Sequence, residues 1–177
     1  GTPLDMTTDL GAGGHGLGYR WRPMSWSVDG KTYVNERATA TQQTGFWMVG
    51  QARKGKTGIL WFGVDDAAST VYVPIYSTIT EVPECLKEGN GDLYTYSPTS
   101  AWWTYNIVAN WAYSKYSAMM PDIKKVQAAW EDKFNAQVEV VDEAVANMDA
   151  TQASEFLTKY SCAQAQESTA AWKDLGI

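Results

Sequence analysis

The sequence has little of two side chains that often carry hydrolytic or metal chemistry, with one histidine and two cysteines in 177 residues. Any Ser-His or Cys-His mechanism within this chain would need His15, which lies in the glycine-rich stretch GAGGHGLG and is difficult to hold rigid. Cys85 and Cys162 are far apart and lack CxxC spacing, so they indicate neither a disulfide framework nor a zinc site. We therefore expect no metal and no cofactor.

Long apolar runs and clusters of basic residues are missing as well. No segment approaches the ~18 consecutive apolar residues that span a bilayer, and the opening residues GTPLDMTTDL lack the basic start and apolar centre of a signal peptide. The net charge is −6 and the 14 Lys and Arg residues are scattered, which disfavours binding by counterion release. We expect neither nucleic acid nor a membrane as a partner.

Core-forming side chains, in contrast, are abundant: 45% of the residues are hydrophobic, and there are 9 Trp and 10 Tyr. This length and composition predict one folded domain over residues 1–177. Its pattern predicts a loop at 1–25, a β meander at 26–80, an irregular connection at 81–99 and helices at 100–177. Strands followed by helices indicate an α+β fold, an antiparallel meander followed by long helices.

Turn signals divide the β meander into strands. Asp29 and Gly30 form a dipeptide preferred in two-residue hairpin turns, so a first hairpin is predicted around them. Residues 38–52 then predict a long strand, KGKTG a turn, and ILWFGV and TVYVPIYSTI two further strands. Pro74 in the last of these indicates an edge strand or a bulge.

Helical periodicity begins after Ser100. Pro121 interrupts the pattern and favours the start of a new helix, in whose first turn a proline can lie. Asp149, three residues before Gln152, predicts a capping box at the start of a last helix that ends at Gly176. Two long helices joined by a tight turn predict an antiparallel pair.

Two glycine motifs match nucleotide-binding patterns without the required context. GQARKGKT (residues 50–57) fits the phosphate-binding loop, which needs a helix to begin at the lysine. Because TGILWFGV follows and predicts a strand, we interpret the segment as a hairpin turn. Gly11, Gly13 and Gly16 fit the dinucleotide fingerprint, but the following LGYRWRPMSW is not helical.

Two pairs of neighbouring carboxylates also invite a catalytic interpretation. Asp65 and Asp66 lie at a strand end, where turn formation is the commoner role. Asp142 and Glu143 are expected on a solvated helix face. Neither pair predicts a metal site or a glycosidase with any strength.

A polar stretch (residues 35–43) precedes the apolar part of the predicted long strand. On an extended chain, alternate side chains lie on one face of the sheet. That face would carry Asn35, Arg37, Thr39, Thr41 and Gln43. Such a face is either solvated or functional.

Six segments follow one another along the chain: GTPLDMTTDLGAG, YRWRPMSW, VDGKTYVNERATATQQTGF, LWFGVDDAASTVYVPIY, ITEVPE and SAWWTYNIVANWAYSKY. Together they resemble the C-terminal part of the dipeptidase A family of cysteine peptidases. The resemblance extends to about Gln127 and is less specific in the last two helices.

The resemblance implies an N-terminal-nucleophile (Ntn) hydrolase with a four-layer αββα sandwich, in which a cysteine is the first residue of the mature enzyme. Its thiol would attack the peptide carbonyl of a dipeptide while its own α-amine, with an unperturbed pKa of ~7.7–8.0, acts as the base. Such chemistry needs no histidine, metal or cofactor.

The chain departs from that pattern because it begins at Gly1 and has no cysteine near its start. Cys85 and Cys162 have no free α-amine, so neither is assigned the role of nucleophile. We therefore expect a processed or excised chain that needs a missing N-terminal segment of the same enzyme and is inactive alone. A homo-oligomer stays open.

The resemblance also gives the polar stretch a role, in the cleft where a dipeptide would bind. Arg37 is the first candidate, because a guanidinium can bind a carboxylate through two hydrogen bonds. Asn35 and Gln43 follow as amide donors to an oxyanion or a substrate terminus. A solvated or hydrogen-bonded sheet position is the alternative for all three.

Two other functions stay open. Removal of Gly1 would expose Thr2, a nucleophile of the same mechanistic class. The non-enzymatic alternative is a binding module, in which Trp21, Trp26 and Trp47 are exposed and stack against peptide or sugar ligands.

Overall fold

The computed structural model describes residues 25–34, 43–114 and 116–176, which form two small antiparallel sheets followed by three helices. The α+β class is therefore confirmed. Apart from Ser25, the predicted loop at 1–25 lies outside the described residues, as do the glycine motif at 11–16 and His15.

The first sheet is a hairpin of β1 (Ser25–Val28) and β2 (Lys31–Val34). Asp29 and Gly30 have φ angles of 49° and 72°, as a type I′ turn requires at its two central positions. The predicted hairpin is confirmed at the predicted residues. Val28, Tyr33 and Val34 of this hairpin are exposed, Val34 by 63%.

The second sheet is antiparallel and has the order β3 (Phe46–Gln51), β4 (Ile59–Val64), β5 (Val73–Tyr76). The predicted turn KGKTG joins β3 to β4, and Gly55 adopts a φ of 73° within it. Pro74 lies on an edge strand of this sheet, as predicted, opposite Trp61 of β4. The meander is confirmed, although β5 is shorter than the segment predicted for it.

The long strand predicted at 38–52 is wrong at its described start. Gln43 lies in a turn and β3 begins only at Phe46, while residues 38–42 lie outside the described residues. The carbonyl of Gly45 accepts a hydrogen bond from the backbone of Asp65 at 2.9 Å. That carbonyl is therefore bound by the turn after β4, beyond the ladder that joins Phe46 to Val64.

The two faces of the second sheet differ. One face carries Trp61, Ile59 and Tyr76, all buried, and Tyr76 contacts the ring of Tyr160 on the last helix. The opposite face is open at β3, where Phe46 is 60% exposed and Met48 is 59% exposed. We call the face that carries Trp61 the covered face, and the two exposed side chains of β3 the open face.

The three helices are α1 (Ala101–Ser114), α2 (Tyr116–Val145) and α3 (Ala150–Leu175). The prediction that a helix starts at Pro121 is wrong, because α2 begins at Tyr116 and continues through the proline. Met120 and Ile123 are buried on either side of it. Their burial offsets the backbone hydrogen bond that a proline removes.

The capping box at the start of α3 is confirmed. Asp149 accepts hydrogen bonds from the backbone of Thr151 and Gln152, both at 2.9 Å, and Gln152 accepts one from the backbone of Asp149 at 3.3 Å. The predicted antiparallel pairing of α2 and α3 is also confirmed. Gln137 accepts a hydrogen bond from Tyr160, whereas Lys133, earlier in α2, pairs with Glu167, later in α3.

The core lies between the second sheet and the helices. Its fully buried large side chains include Tyr76 of β5, Phe134 of α2, and Leu157 and Trp172 of α3. Ser161 accepts a hydrogen bond from the backbone of Tyr76, which fixes α3 along the edge strand β5. None of the described helices combines the length and apolar character that crossing a bilayer requires.

Candidate functional site

The predicted site residues fall mostly outside the described residues. Asn35 and Arg37 are among those left undescribed, so their roles stay predictions. Gln43 is described, and its exposed side chain lies in the turn that leads into β3. The place where the polar stretch joins the described fold is therefore the start of β3.

The start of β3 is bound to the connection between β4 and β5 at two points. The carbonyl of Gly45 accepts a hydrogen bond from the backbone of Asp65 at 2.9 Å. The indole of Trp47 donates to the hydroxyl of Thr70 at 3.1 Å. We call this connection the acidic loop (residues 65–70).

Asp66 organises the acidic loop from within. Its side chain is fully buried and accepts hydrogen bonds from the backbone of Ala68 at 2.9 Å, the hydroxyl of Ser69 at 3.1 Å and the phenol of Tyr113 at 2.6 Å. The first of these closes the side-chain turn that aspartate favours. The predicted turn-forming role is confirmed, and the bond from Tyr113 adds a link to α1.

Asp65 has an unusual backbone conformation and a raised pKa. Its φ is 60°, in the left-handed region that aspartate tolerates better than most residues, and it is 2% exposed. Asn106 of α1 donates to its carboxylate at 3.2 Å. Burial, and then the charge of Asp66, raise the pKa of Asp65 from 3.8 to about 7.

Two further helices bind the backbone of the acidic loop. The indole of Trp172 in α3 donates to the carbonyl of Ser69 at 3.1 Å. The amide of Gln127 in α2 donates to the carbonyl of Thr70, and Lys124 donates to Gln127 at 2.8 Å. The acidic loop is thus the point where β3 and all three helices meet.

Sequence reasoning found the turn at Asp65 and Asp66 but missed this convergence. The signal for the turn is local, because two aspartates after a strand and a run of small residues favour side-chain capping of the backbone. The donors arrive from positions between 23 and 103 residues away in sequence. A single sequence offers no spacing rule for such contacts.

The segment that fits the phosphate-binding motif is a hairpin turn, as predicted. Two of its basic side chains bind α2, with Arg53 at 2.6 Å and Lys56 at 3.0 Å from a carboxylate oxygen of Asp142. Arg53 also donates to the carbonyl of Thr57. The expectation that Asp142 is solvated is wrong, because only 7% of its side chain is exposed and the two cations cover it.

Neither thiol has the environment of an activated nucleophile. Cys85 is buried in a short 3-10 helix, Glu84–Leu86, and its burial raises the pKa of its thiol. The thiol of Cys162 lies 3.9 Å from the carbonyl of Glu81, and partial burial raises its pKa as well. A raised pKa keeps a thiol protonated, and the protonated form is a poor nucleophile.

Two remaining possibilities concern metals and aromatic ligands. Within the described ranges, no group of three or more His, Cys, Asp and Glu side chains is arranged to hold a metal ion. Trp47 is only partly exposed and its ring lies over Gly63, where an added Cβ would approach it to 2.3 Å. Trp47 is therefore a packing residue, while Trp21 and the side chain of Trp26 lie outside the described residues.

Residues 2–129 match the sequence model of Peptidase family C69. The match spans both sheets, the acidic loop, α1 and the first part of α2, and it includes the polar stretch. No curated protein and no solved structure matches the chain.

Proposed function

The chain belongs to Peptidase family C69, a family of peptide hydrolases, and from that premise we propose that it is the C-terminal part of a cysteine dipeptidase. The observation that carries the proposal is the family match, which includes the polar stretch with its arginine. In the proposed enzyme the nucleophile is an N-terminal cysteine supplied by an upstream segment, since Cys85 and Cys162 are unsuited to that role.

The proposed reaction is acyl transfer to the cysteine followed by hydrolysis. The α-amine of the cysteine takes the thiol proton, and the sulfur attacks the carbonyl carbon of the dipeptide. The C–N bond breaks, and the departing amine takes the proton from the α-amine. Water then hydrolyses the thioester, which releases the second amino acid and restores the thiol.

The proposed roles in this chain belong to the polar stretch. Arg37 binds the carboxylate of the dipeptide through its planar guanidinium. Asn35 and Gln43 donate hydrogen bonds to the oxyanion of the tetrahedral intermediate or to a substrate terminus. The turn at Gln43 lies at the surface, which leaves its amide available to a ligand.

The upstream segment is also proposed to complete the sandwich. The covered face of the second sheet already packs against helices, which corresponds to one sheet and one helical layer of an αββα arrangement. Phe46 and Met48 on the open face offer an apolar surface for a second sheet. The exposed apolar residues of the β1–β2 hairpin, such as Val34, are a further surface for the same segment.

The first test is intact mass and N-terminal sequencing of the native protein, combined with dipeptide hydrolysis before and after thiol alkylation. A chain that begins with cysteine, and activity that alkylation abolishes, would support the proposal. Activity that survives alkylation, with Gly1 absent and Thr2 exposed, would support the threonine nucleophile. Ligand binding by a single inactive chain would support the binding module.

Arg37→Ala tests the carboxylate contact. In the complete enzyme we expect kcat/KM for a dipeptide to fall by about tenfold or more, because a hydrogen-bonded charge partner is lost. A dipeptide with an amidated C terminus supplies the control, since it lacks the carboxylate and the variant should treat it as the wild type does. Arg37→Lys keeps the charge without the paired donors. Unchanged kcat/KM for the free dipeptide in Arg37→Ala would remove this assignment.

A further inference from the structure

A groove of about 400 Å³ opens at one end of the helices, among α1, α2 and α3. It lies where Trp111 in the last turn of α1, Met119 in the first turn of α2 and Leu175 at the end of α3 come together. Small-molecule sites usually have volumes of about 300–1,000 Å³, so this cavity is large enough for a small ligand. We call it the helix-end groove.

The floor of the helix-end groove is apolar. Val108 and Ile123 line it, and each is 3% exposed and belongs to the core. Trp111 lines it as well and is 48% exposed, so its ring is accessible. A Cβ built on Gly176 would lie 3.4 Å from a methyl carbon of Val108 and 3.9 Å from the ring of Trp111, which places the end of α3 beside α1. An apolar ligand would therefore leave water for packed side chains and an aromatic ring.

Three exposed charged side chains line the same groove. Asp122 and Asp174 contribute carboxylates, and Lys125 contributes one ammonium group. None of the three forms an ion pair with another residue in the described part of the chain. The side chains around the groove thus carry a net negative charge, and both carboxylates are available to a ligand.

The helix ends add to this negative potential. α3 ends here, and the C terminus of a helix carries about half a negative charge. α1 ends at Ser114 and α2 begins at Tyr116, so the partial charges of these two opposite helix ends largely cancel. Lys173, the basic residue in the last turn of α3, does not line the groove. The groove therefore favours a cation over an anion.

We propose that the helix-end groove binds a small ammonium compound with an apolar or aromatic body. The body lies on Val108 and Ile123, and the ammonium group donates hydrogen bonds at the carboxylates of Asp122 and Asp174. The face of the Trp111 ring attracts the same positive charge. A neutral compound of the same shape lacks these charge-assisted contacts, and an anion is repelled by the carboxylates. This site goes beyond the proposed peptidase function and uses none of the residues assigned to it.

The first test compares three compounds of similar shape that differ in charge. The probe is 2-phenylethylamine, with 2-phenylethanol as the neutral control and 3-phenylpropionate as the anionic one. In the native protein near neutral pH, ligand-observed NMR should give a Kd for the amine about tenfold lower than for the alcohol. The anion should bind no better than the alcohol, and added salt should weaken the amine selectively. Equal Kd values for the three compounds, or tightest binding of the anion, would overturn the inference.

Substitutions test whether the carboxylates of the groove hold the amine. Asp122→Asn and Asp174→Asn keep the shape of the side chain, and each should raise the Kd of the amine about threefold while leaving that of the alcohol unchanged. Glu143→Gln is the matched control, because it removes one negative charge from an exposed position of the same helix about 30 Å away. An equal rise of Kd in Glu143→Gln would show that the amine responds to the net charge of the protein, which would overturn the assignment to this groove.

Hydrogen–deuterium exchange with mass spectrometry locates the bound amine without using peptidase activity. Saturating 2-phenylethylamine should slow exchange at the end of α1, in the first turns of α2 and at the end of α3. Protection confined to other segments would overturn the inference, as would a lack of binding because the proposed upstream segment fills the groove. If the protein hydrolyses no dipeptide, the proposed function fails, but binding of the amine at these helix ends still supports the site.

Discussion

The helical side and the open side of the second sheet are completed in different ways. On the helical side, several buried polar groups have partners, as when Trp172 donates to Ser69 and Tyr113 donates to Asp66. On the open side, Phe46 and Met48 are apolar and mostly exposed. The helical side thus contains its own stabilising contacts, whereas the open side exposes an apolar surface, which is where the proposed upstream segment would bind.

The largest expected loss of stability comes from a core substitution on the helical side. Trp172 is fully buried, contacts the ring of Tyr105 at 5.1 Å and donates to the acidic loop. We expect Trp172→Ala to lower the free energy of unfolding by about 3–5 kcal/mol, measured by denaturant titration. Trp111, about half exposed on α1, is the matched control. Equal losses for the two alanine variants would contradict this account of the core.

The next largest effect is the pH dependence of stability that the buried carboxyl group of Asp65 contributes. Asp65 keeps its proton up to about pH 7 when folded but releases it near pH 3.8 when unfolded. Its contribution to stability is therefore fully present below about pH 4 and is lost as the pH rises to about 7, by roughly 4 kcal/mol at most.

Asp65→Asn removes this dependence, so the variant should match the wild type near pH 4 and be more stable at pH 8. The measurement is the difference in Tm between the two proteins across that range. Because Asp66, Tyr113 and Lys124 are present in both proteins, the difference in Tm reports the ionisation of Asp65. A difference that stays constant with pH would contradict the prediction.

A smaller effect concerns the ion pairs that join the hairpin turn to α2. Asp142→Ala leaves Arg53, whose side chain is only 11% exposed, without its carboxylate partner and should cost about 3 kcal/mol. Lys56 pairs with the same oxygen but is half exposed, so Lys56→Ala should cost about 0–1 kcal/mol. Denaturant unfolding in low and high salt measures both. Similar losses in the two variants would show that burial does not make the Arg53 pair more stabilising than the Lys56 pair.

The smallest effect on stability is expected on the open side. Met48→Ser should change the free energy of unfolding of this chain by no more than about 0.5 kcal/mol, because the side chain is already 59% exposed. Binding to the proposed upstream segment should weaken, as measured by co-purification or titration. Val82→Ser, at a similarly exposed position away from the sheets, is the control. Unchanged binding in Met48→Ser would place the partner elsewhere.

Local signals made the most accurate predictions. The Asp29-Gly30 turn and the Asp149 capping box depend on residues within four positions of each other, and both are found where they were predicted. The start of α2 and the burial of Asp142 were predicted wrongly, because contacts with distant elements decide them. Packing of Met120 outweighs the helix-breaking tendency of Pro121, and Arg53 from the hairpin turn covers a carboxylate of α2.

The candidate site shows the same difference between local signals and contacts with distant residues. Alternation places five polar residues on one face, and the family resemblance together with residue type singles out Arg37, Asn35 and Gln43, whose catalytic roles stay predictions. The contacts of Asp65 could not be found from the sequence, since Asn106 lies 41 residues away and Gly45 lies 20 residues before it. Aspartate after a strand indicates a turn, but only the assembled helices make that turn a buried one.

The bond between Trp172 and Ser69 also has a consequence for synthesis, since it joins residues 103 positions apart. On the ribosome, the strands emerge well before the final helix that covers them. At about 5–20 residues per second, the interval is roughly 5–20 s. During that time the sheet presents apolar side chains and strand edges that α3 will later bury, so slow elongation or early termination before α3 should yield nascent chains that require a chaperone to remain unaggregated.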